Sequence, residues 1–334
     1  MIDFSKIHGQ KRALEVLSGI FDSKRVPHAM IFTGPEGVGK RLIAERFANA
    51  LICRGIDTVP CNNCEPCRKI ATGSFPDLIS VEIPEDKTKI LIEQMREIEK
   101  ILAYRPFYGD RRVIIIDPAD KMSDGAFGAI LKTLEEPPSG AHFILITSRA
   151  SSLPATIISR CQKVRFASLT PGEIVEIVKS KGATEKVNEA SLLCRGSVSR
   201  AESLMEGEFL SLRESTIRKL SKMKLNDPKM VDELSQEVSK PKNKTKIPEI
   251  LDMLKLWYRD ILIYNLTGNS ENIVNRDLIE KWGNGWSKTG QSFLIKSVEA
   301  TEEINELYLK GINVNMRLAF LKLFIRLTEL KYQC

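Results

Sequence analysis

The segment Gly34-Pro35-Glu36-Gly37-Val38-Gly39-Lys40 has the residue types of a phosphate cradle at the spacing G-x-x-x-x-G-K. Gly34, Gly37 and Gly39 let the backbone curl until several N–H groups face one anion. A helix starting near Leu42 adds the positive end of its dipole. Lys40 would reach the β- and γ-phosphates of a nucleoside triphosphate. The next residue should be Ser or Thr, whose hydroxyl ligates Mg²⁺. It is Arg41, and a guanidinium repels a cation instead of coordinating it. Further on, Asp117 follows the apolar run Val113–Ile116 at the place of a Walker-B acid. Hydrolysing P-loop proteins usually carry a Glu next, to orient or deprotonate the attacking water. Here it is Pro118, and Asp120 lies too far along the turn to replace that Glu. The motif is therefore expected to be degenerate, with ATP or ADP binding weak or absent.

A second constellation is Cys53, Cys61, Cys64 and Cys67, spaced C-x7-C-x2-C-x2-C in a loop with Gly55, Pro60, Asn62, Asn63 and Pro66. C-x2-C steps bring thiolates onto one small ion, and four thiolates close a tetrahedral Zn²⁺ site with no open position. Such a site is structural. Free thiols or an iron–sulfur cluster are the less favoured readings, since the loop has no other redox feature.

These residues need elements to position them. Five short apolar runs read as strands: Ala29–Thr33, Leu78–Ile83, Val113–Ile116, Phe143–Thr147 and the weaker Val164–Phe166. Their β-branched, non-alternating character suits a parallel sheet buried on both faces. Between them lie helical faces, such as Leu91, Met95, Ile98 and Leu102, or Ile130, Leu131 and Leu134. The expectation is an α/β core over residues 1–165 with the cysteine loop (53–67) inserted. After Phe166 the strand signals stop. Thr170 reads as a helix N-cap with Pro171 at the first helical position and Glu173 completing a capping box. A small helical lid (166–208), ending near Gly207, precedes a helical domain (209–334). That domain has long apolar stretches at Ile250–Leu266 and Met316–Leu330, the latter with a stripe of Phe320, Leu323, Leu327 and Leu330.

Composition narrows the class. With 43% hydrophobic and 28% charged residues the chain reads as globular, and no run of 18 apolar residues exists to span a membrane. The start, MIDFSKIHGQ, lacks a signal-peptide h-region, so the cytoplasm is expected. The net charge of +7 permits nucleic-acid contact without demanding it. Lys240, Lys242, Lys244 and Lys246 read as a solvated connector in preference to a DNA-binding loop. Seven cysteines in a reducing compartment argue against disulfides, and Cys161, Cys194 and Cys334 read as ordinary packing or surface thiols. There is no internal repeat.

The order of GPEGVGK, the four cysteines, IIIDPADKM, LKTLEEPPSGAHFILIT and Ser159-Arg160-Cys161 resembles the AAA+ clamp-loader subunits of bacterial DNA polymerase III. The likeness is firm over residues 5–205. It is looser in WYRDIL (257–262) and NVNMRLAFLKLF (313–324), which look like the family's helical collar. The resemblance implies an AAA+ P-loop core, a lid and a collar that joins a ring of five subunits. In the family, gamma/tau-type subunits hydrolyse ATP and a delta-prime type does not. Arg41 and Pro118 depart from the active pattern. So does Ser199 in Gly196-Ser197-Val198-Ser199-Arg200-Ala201, where active relatives place the sensor-2 Arg. Arg200 is one residue on, turned about 100° along the helix. By resemblance, Arg160 is an arginine finger reaching a neighbour's nucleotide, and Thr147 or Ser148 holds the sensor-1 position. The implied partners are gamma/tau and delta subunits, the sliding clamp and primer–template DNA. The lack of a long C-terminal extension speaks against a full-length tau form. The rival readings are an ATP-hydrolysing gamma/tau-type subunit and a free-standing zinc-dependent DNA-binding protein.

Overall fold

The computed structural model describes residues 1–333 apart from 184, 207, 224–226, 270–272, 283–285, 287–288 and 310–314. The expectations touching Gly207, Asn313 and Cys334 lie outside the described residues. The chain divides into two compact units, Met1–Thr184 with Cys194–Ala201, and Glu185–Leu193 with Glu202–Cys334.

The first unit is built on β1 (Ala29–Thr33), β2 (Leu78–Val81), β3 (Arg112–Ile116), β4 (Ala141–Thr147) and β5 (Gln162–Arg165). All neighbours pair in parallel, in the order β2-β3-β4-β1-β5. The expected strands are found, with ends shifted by two residues at most. β3 and β4 are buried along their whole length, which is why their sequences RVIII and AHFILIT show no polar alternation.

The two faces of the sheet carry different cores. Val113, Ile115, Ile144 and Ile146 join Phe47 and Leu51 of α2 (Lys40–Ile52) and Leu17 of α1 (Lys11–Asp22). Ile114, Ile116, Phe143 and Leu145 meet Met95, Ile98 and Leu102 of α4 (Ile92–Leu102), and Phe127, Ile130 and Leu134 of α5 (Asp124–Glu135). Each such side chain contributes about 1.5–3 kcal/mol on burial. Helix α3 (Glu65–Ala71) lies in the cysteine loop, α6 (Ala155–Ile158) precedes β5, and α7 (Pro171–Ser180) follows it. The cap of α7 is as expected. Glu173 N–H donates to Thr170 Oγ1 at 3.3 Å, and Thr170 N–H donates to Glu173 Oε2 at 2.7 Å.

At the N-terminal edge of the sheet, Arg112 and Asp77 form a fully buried ion pair of 2.8 Å. Arg112 also donates to the carbonyls of Ile101, Tyr104 and Arg105, and Asp77 Oδ2 accepts from Tyr108 N–H at 2.7 Å. Every charge there has hydrogen-bond partners, which a buried pair requires.

The second unit is helical: α8 (Val187–Leu193), the end of α9 (Val198–Glu206), α10 (Phe209–Lys222), α11 (Pro228–Val238), α12 (Ile247–Thr267), α13 (Arg276–Trp282), α14 (Gln291–Leu309) and α15 (Met316–Gln333). Its centre is an aromatic cluster of Trp257, Tyr258, Trp286 and Phe293 with largely edge-to-face geometry. Beside it, buried Arg213 is bidentate to Asp277 and donates to Asn275, which donates to buried Asp260. On α15, Phe320, Leu323, Phe324 and Leu327 are buried, whereas Leu318 and Ile325 are exposed. The lysine run Pro241–Lys246 is a short 3₁₀ segment between α11 and α12, with Lys242 ion-paired to Glu208. Among the described residues, no helix is long and apolar enough to cross a membrane.

Candidate functional site

Gly34, Asp117 and Thr147 stand at the C-terminal ends of the adjacent strands β1, β3 and β4. This is the edge where open parallel sheets bind ligands. Helix α2 begins at Lys40, two residues before the expected start, directly after Gly39. Gly34 leaves no space for a Cβ, which would lie 2.2 Å from the Phe166 carbonyl oxygen. At Gly37 φ is +73°, a left-handed conformation that glycine adopts without cost.

The groups expected to serve a nucleotide are engaged with one another. Lys40 Nζ donates to the carbonyls of Gly34 (2.7 Å) and Pro35 (2.5 Å). Burial lowers its pKa, opposed by the charges of Asp117, Glu36 and Asp120. Arg41 is held by three carboxylates: Nε to Glu45 at 2.6 Å, Nη2 to Glu82 at 2.6 Å, and Nη1 to Asp117 at 3.6 Å. Burial raises the Asp117 pKa above the usual carboxylate range, with Arg41 and Lys40 opposing it. A guanidinium therefore occupies the neighbourhood in which Asp117 would meet a divalent cation.

The remaining cleft residues are also satisfied internally. Asp120 Oδ1 accepts from Thr147 Oγ1 at 2.6 Å and from Ser148 N–H at 3.3 Å, so that oxygen is tied to the end of β4. The segment 196–199 covers the loop. Val198 N–H donates to the Gly37 carbonyl at 2.8 Å. A Cβ on Gly37 would fall 2.1 Å from Ser197 Oγ and 2.2 Å from Ser199 Oγ. Ser199 thus faces the phosphate loop with a hydroxyl and no charge.

Arg160, just past α6, lies in the same unit. Its Nη1 donates to the Thr156 carbonyl at 2.9 Å and to Ser159 Oγ at 3.4 Å, and its Nη2 stands 2.6 Å from Glu135 Oε1. The side chain remains 34% exposed.

The four cysteines come together. One sulfur from each lies within 4.8 Å of the others, and Cys53 and Cys64 are 3.9 Å apart. Tetrahedral ligands about 2.3 Å from a zinc ion stand about 3.8 Å from each other, so the set fits that ion. Backbone N–H groups of Gly55 and Cys61 point at Cys53 Sγ, and Cys64 N–H points at Cys61 Sγ. The N–H groups of Asn63 and Cys64 draw the Cys61 thiol down to about 6, whereas burial pushes Cys67 up. Cys53 ends α2 and Cys67 rides on α3, donating to Asn49 Oδ1 of α2 at 3.4 Å. Cys161 and Cys194 pack away from this site, and burial raises Cys161 to about 11.

Sequence reasoning did not anticipate Glu45 and Glu82 as partners of Arg41. Glu45 was visible in principle, one helical turn after an arginine. Glu82 lies on a different strand end, and nothing local announces it.

Residues 9–170 match the family described as DNA polymerase III, delta subunit, and residues 207–329 match its C-terminal part. The DNA polymerase III subunit tau of Bacillus subtilis is 30% identical over 305 residues, covering 83% of this chain and 53% of that protein. The subunit tau/gamma of Haemophilus influenzae is 38% identical over 172 residues, covering 51% of this chain and 25% of that one. The chain therefore spans about half or less of the length of these relatives. A gamma subunit-related protein of Thermotoga maritima aligns over 96% of this chain and 99% of its own, with 19% identity and a TM-score of 0.41. With a phosphate-loop α/β core at one end, a helical unit at the other and a family match in each, the chain belongs to the clamp-loader subunit family of bacterial DNA polymerase III.

Proposed function

We propose that this chain is a cytoplasmic, non-hydrolysing clamp-loader subunit of the delta-prime type. It anchors a ring of gamma/tau and delta subunits and supplies Arg160 to a neighbour's ATP site during loading of the sliding clamp on primer–template DNA. The observation that carries the reading is Arg41, whose guanidinium takes the carboxylates of Asp117, Glu82 and Glu45 where a hydrolysing site needs Mg²⁺. Pro118 removes the water-orienting acid, and Ser199 presents no charge to a γ-phosphate. ATP or ADP binding through Gly34, Gly37, Gly39, Lys40 and Asp117 is weak or absent. Residues 1–165 serve as the core, 166–208 as a lid and 209–334 as the collar. Cys53, Cys61, Cys64 and Cys67 hold one structural Zn²⁺, which pins the loop to α2 and takes no part in chemistry.

A second reading has support in the names of the relatives, tau and tau/gamma, which favour an ATP-hydrolysing gamma/tau-type subunit. ATP turnover by the purified chain separates the two. Background turnover, unchanged in Lys40→Ala, is the expected result. Mg²⁺-dependent turnover abolished by Lys40→Ala would establish the second reading.

A further inference from the structure

The sequence places Arg160 in a tripeptide but does not say what holds its guanidinium before a neighbour arrives. Arginine is long and flexible, and a finger that must be ordered at the moment of catalysis is less effective than one already in place. In this chain the guanidinium is tethered at two points by two different elements. Nη1 donates to the Thr156 carbonyl inside α6 at 2.9 Å and to Ser159 Oγ at 3.4 Å. Nη2 is 2.6 Å from Glu135 Oε1, on the last residue of α5. Nε makes no hydrogen bond among the described residues, so the tether leaves donors for an incoming anion.

Glu135 itself is fixed. It closes a helix whose Ile130 and Leu134 are buried under β3 and β4, and Pro137 and Pro138 follow one residue later. Its carboxylate is 50% exposed. Solvent therefore screens its charge, and the pair orients the arginine without cancelling the field it offers a phosphate.

We propose that Glu135 is a positioning residue for Arg160: it holds the guanidinium ready at the subunit surface for the γ-phosphate of a nucleotide bound by the adjacent subunit. This rests on the reading of Arg160 as a finger supplied in trans. The bond between the two is that of an exposed ion pair, and such pairs shift equilibria by up to about fivefold.

The experiment uses complexes reconstituted with gamma/tau and delta subunits and carrying Glu135→Gln, Arg160→Ala or both. Assembly is checked by sizing, and clamp- and DNA-stimulated ATP turnover is measured over a range of ATP concentrations. Glu135→Gln keeps the side chain's size at an exposed position and removes its charge. The expected result is a two- to fivefold fall in the part of the turnover that Arg160→Ala removes, with little change in KM, and no effect of Glu135→Gln once Arg160 is alanine. Glu135 has no such role if turnover stays unchanged or rises, or if the fall is as large in the Arg160→Ala background. If Arg160→Ala alone leaves turnover intact, the finger reading fails instead.

Discussion

Replacing Arg41 by threonine should turn a metal-repelling P-loop into one that binds Mg²⁺-nucleotide. An Mg²⁺ ion ligated by Asp117 sits about 2.1 Å from the carboxylate oxygen. Arg41 Nη1 already stands 3.6 Å from Asp117 Oδ2, which puts cation and guanidinium about 4 Å apart. Their repulsion is about 2 kcal/mol in a water-like medium and about 8 kcal/mol at an effective dielectric of about 20. Because the Arg41 side chain is 32% exposed, the lower part of that range applies, about 2–4 kcal/mol. Mg²⁺-nucleotide affinity should therefore rise about 30- to 1000-fold. Thermal unfolding with ADP or ATP, with and without Mg²⁺, reads this directly, since a ligand at about 100 times its Kd stabilises by about 2.7 kcal/mol. Hydrolysis should not follow, because Pro118 remains. The substitution also has a pH signature. Burial holds the folded-state pKa of Asp117 above the ordinary 3.8, against Arg41 and Lys40. A raised folded-state value contributes stability below the unfolded pKa and loses it as pH rises through the folded one. Removing Arg41 raises it further, so without ligand the variant's destabilisation should grow from about pH 4 upward. Equal Mg²⁺-dependent nucleotide stabilisation of the wild-type chain and Arg41→Thr would refute the reasoning.

Arg112→Ala should cost about 3–5 kcal/mol, because it strands the buried Asp77 charge and frees three carbonyls; denaturant unfolding measures it, and a loss under about 1 kcal/mol would contradict it. Gly37→Ala should destabilise by about 1–2 kcal/mol through the left-handed conformation alone, with more from the clash with Ser197 and Ser199. Trimming both serines to glycine should recover the second part only, again by denaturant unfolding. Cys64→Ser should lower zinc content from one per chain while circular dichroism keeps most helix and strand signal, since Cys64 belongs to neither core of the sheet. Metal analysis and limited proteolysis across residues 53–67 test this, and full zinc retention would count against it.

The sheet was legible because buried parallel strands leave unbroken runs such as RVIII, and the phosphate loop because glycine spacing dictates backbone curl. The cysteine site could be read from spacing alone, since short C-x2-C steps permit few geometries. What could not be read were pairings between distant segments. Glu82 reaches Arg41 across 41 positions, and Ser197 and Ser199 reach Gly37 across more than 150. Asp120 was set aside as a substitute for the missing acid, and the contact of its Oδ1 with Thr147 and Ser148 spans 27 and 28 positions that no local pattern links. The Arg213–Asn275–Asp260 network in the helical unit left no local pattern either, because polar residues in helices normally mark the solvent face.

The most direct test of the account compares Lys40→Ala with Arg160→Ala, each in this chain only, within complexes assembled from otherwise wild-type subunits. Arginine fingers are worth about 10³–10⁵ in rate at the site they serve, so one site should fall silent in Arg160→Ala. Clamp- and DNA-stimulated ATP turnover should be unchanged by Lys40→Ala and lowered by at least one site's share in Arg160→Ala. Turnover lowered by Lys40→Ala and untouched by Arg160→Ala would contradict the account and make this chain a hydrolysing subunit.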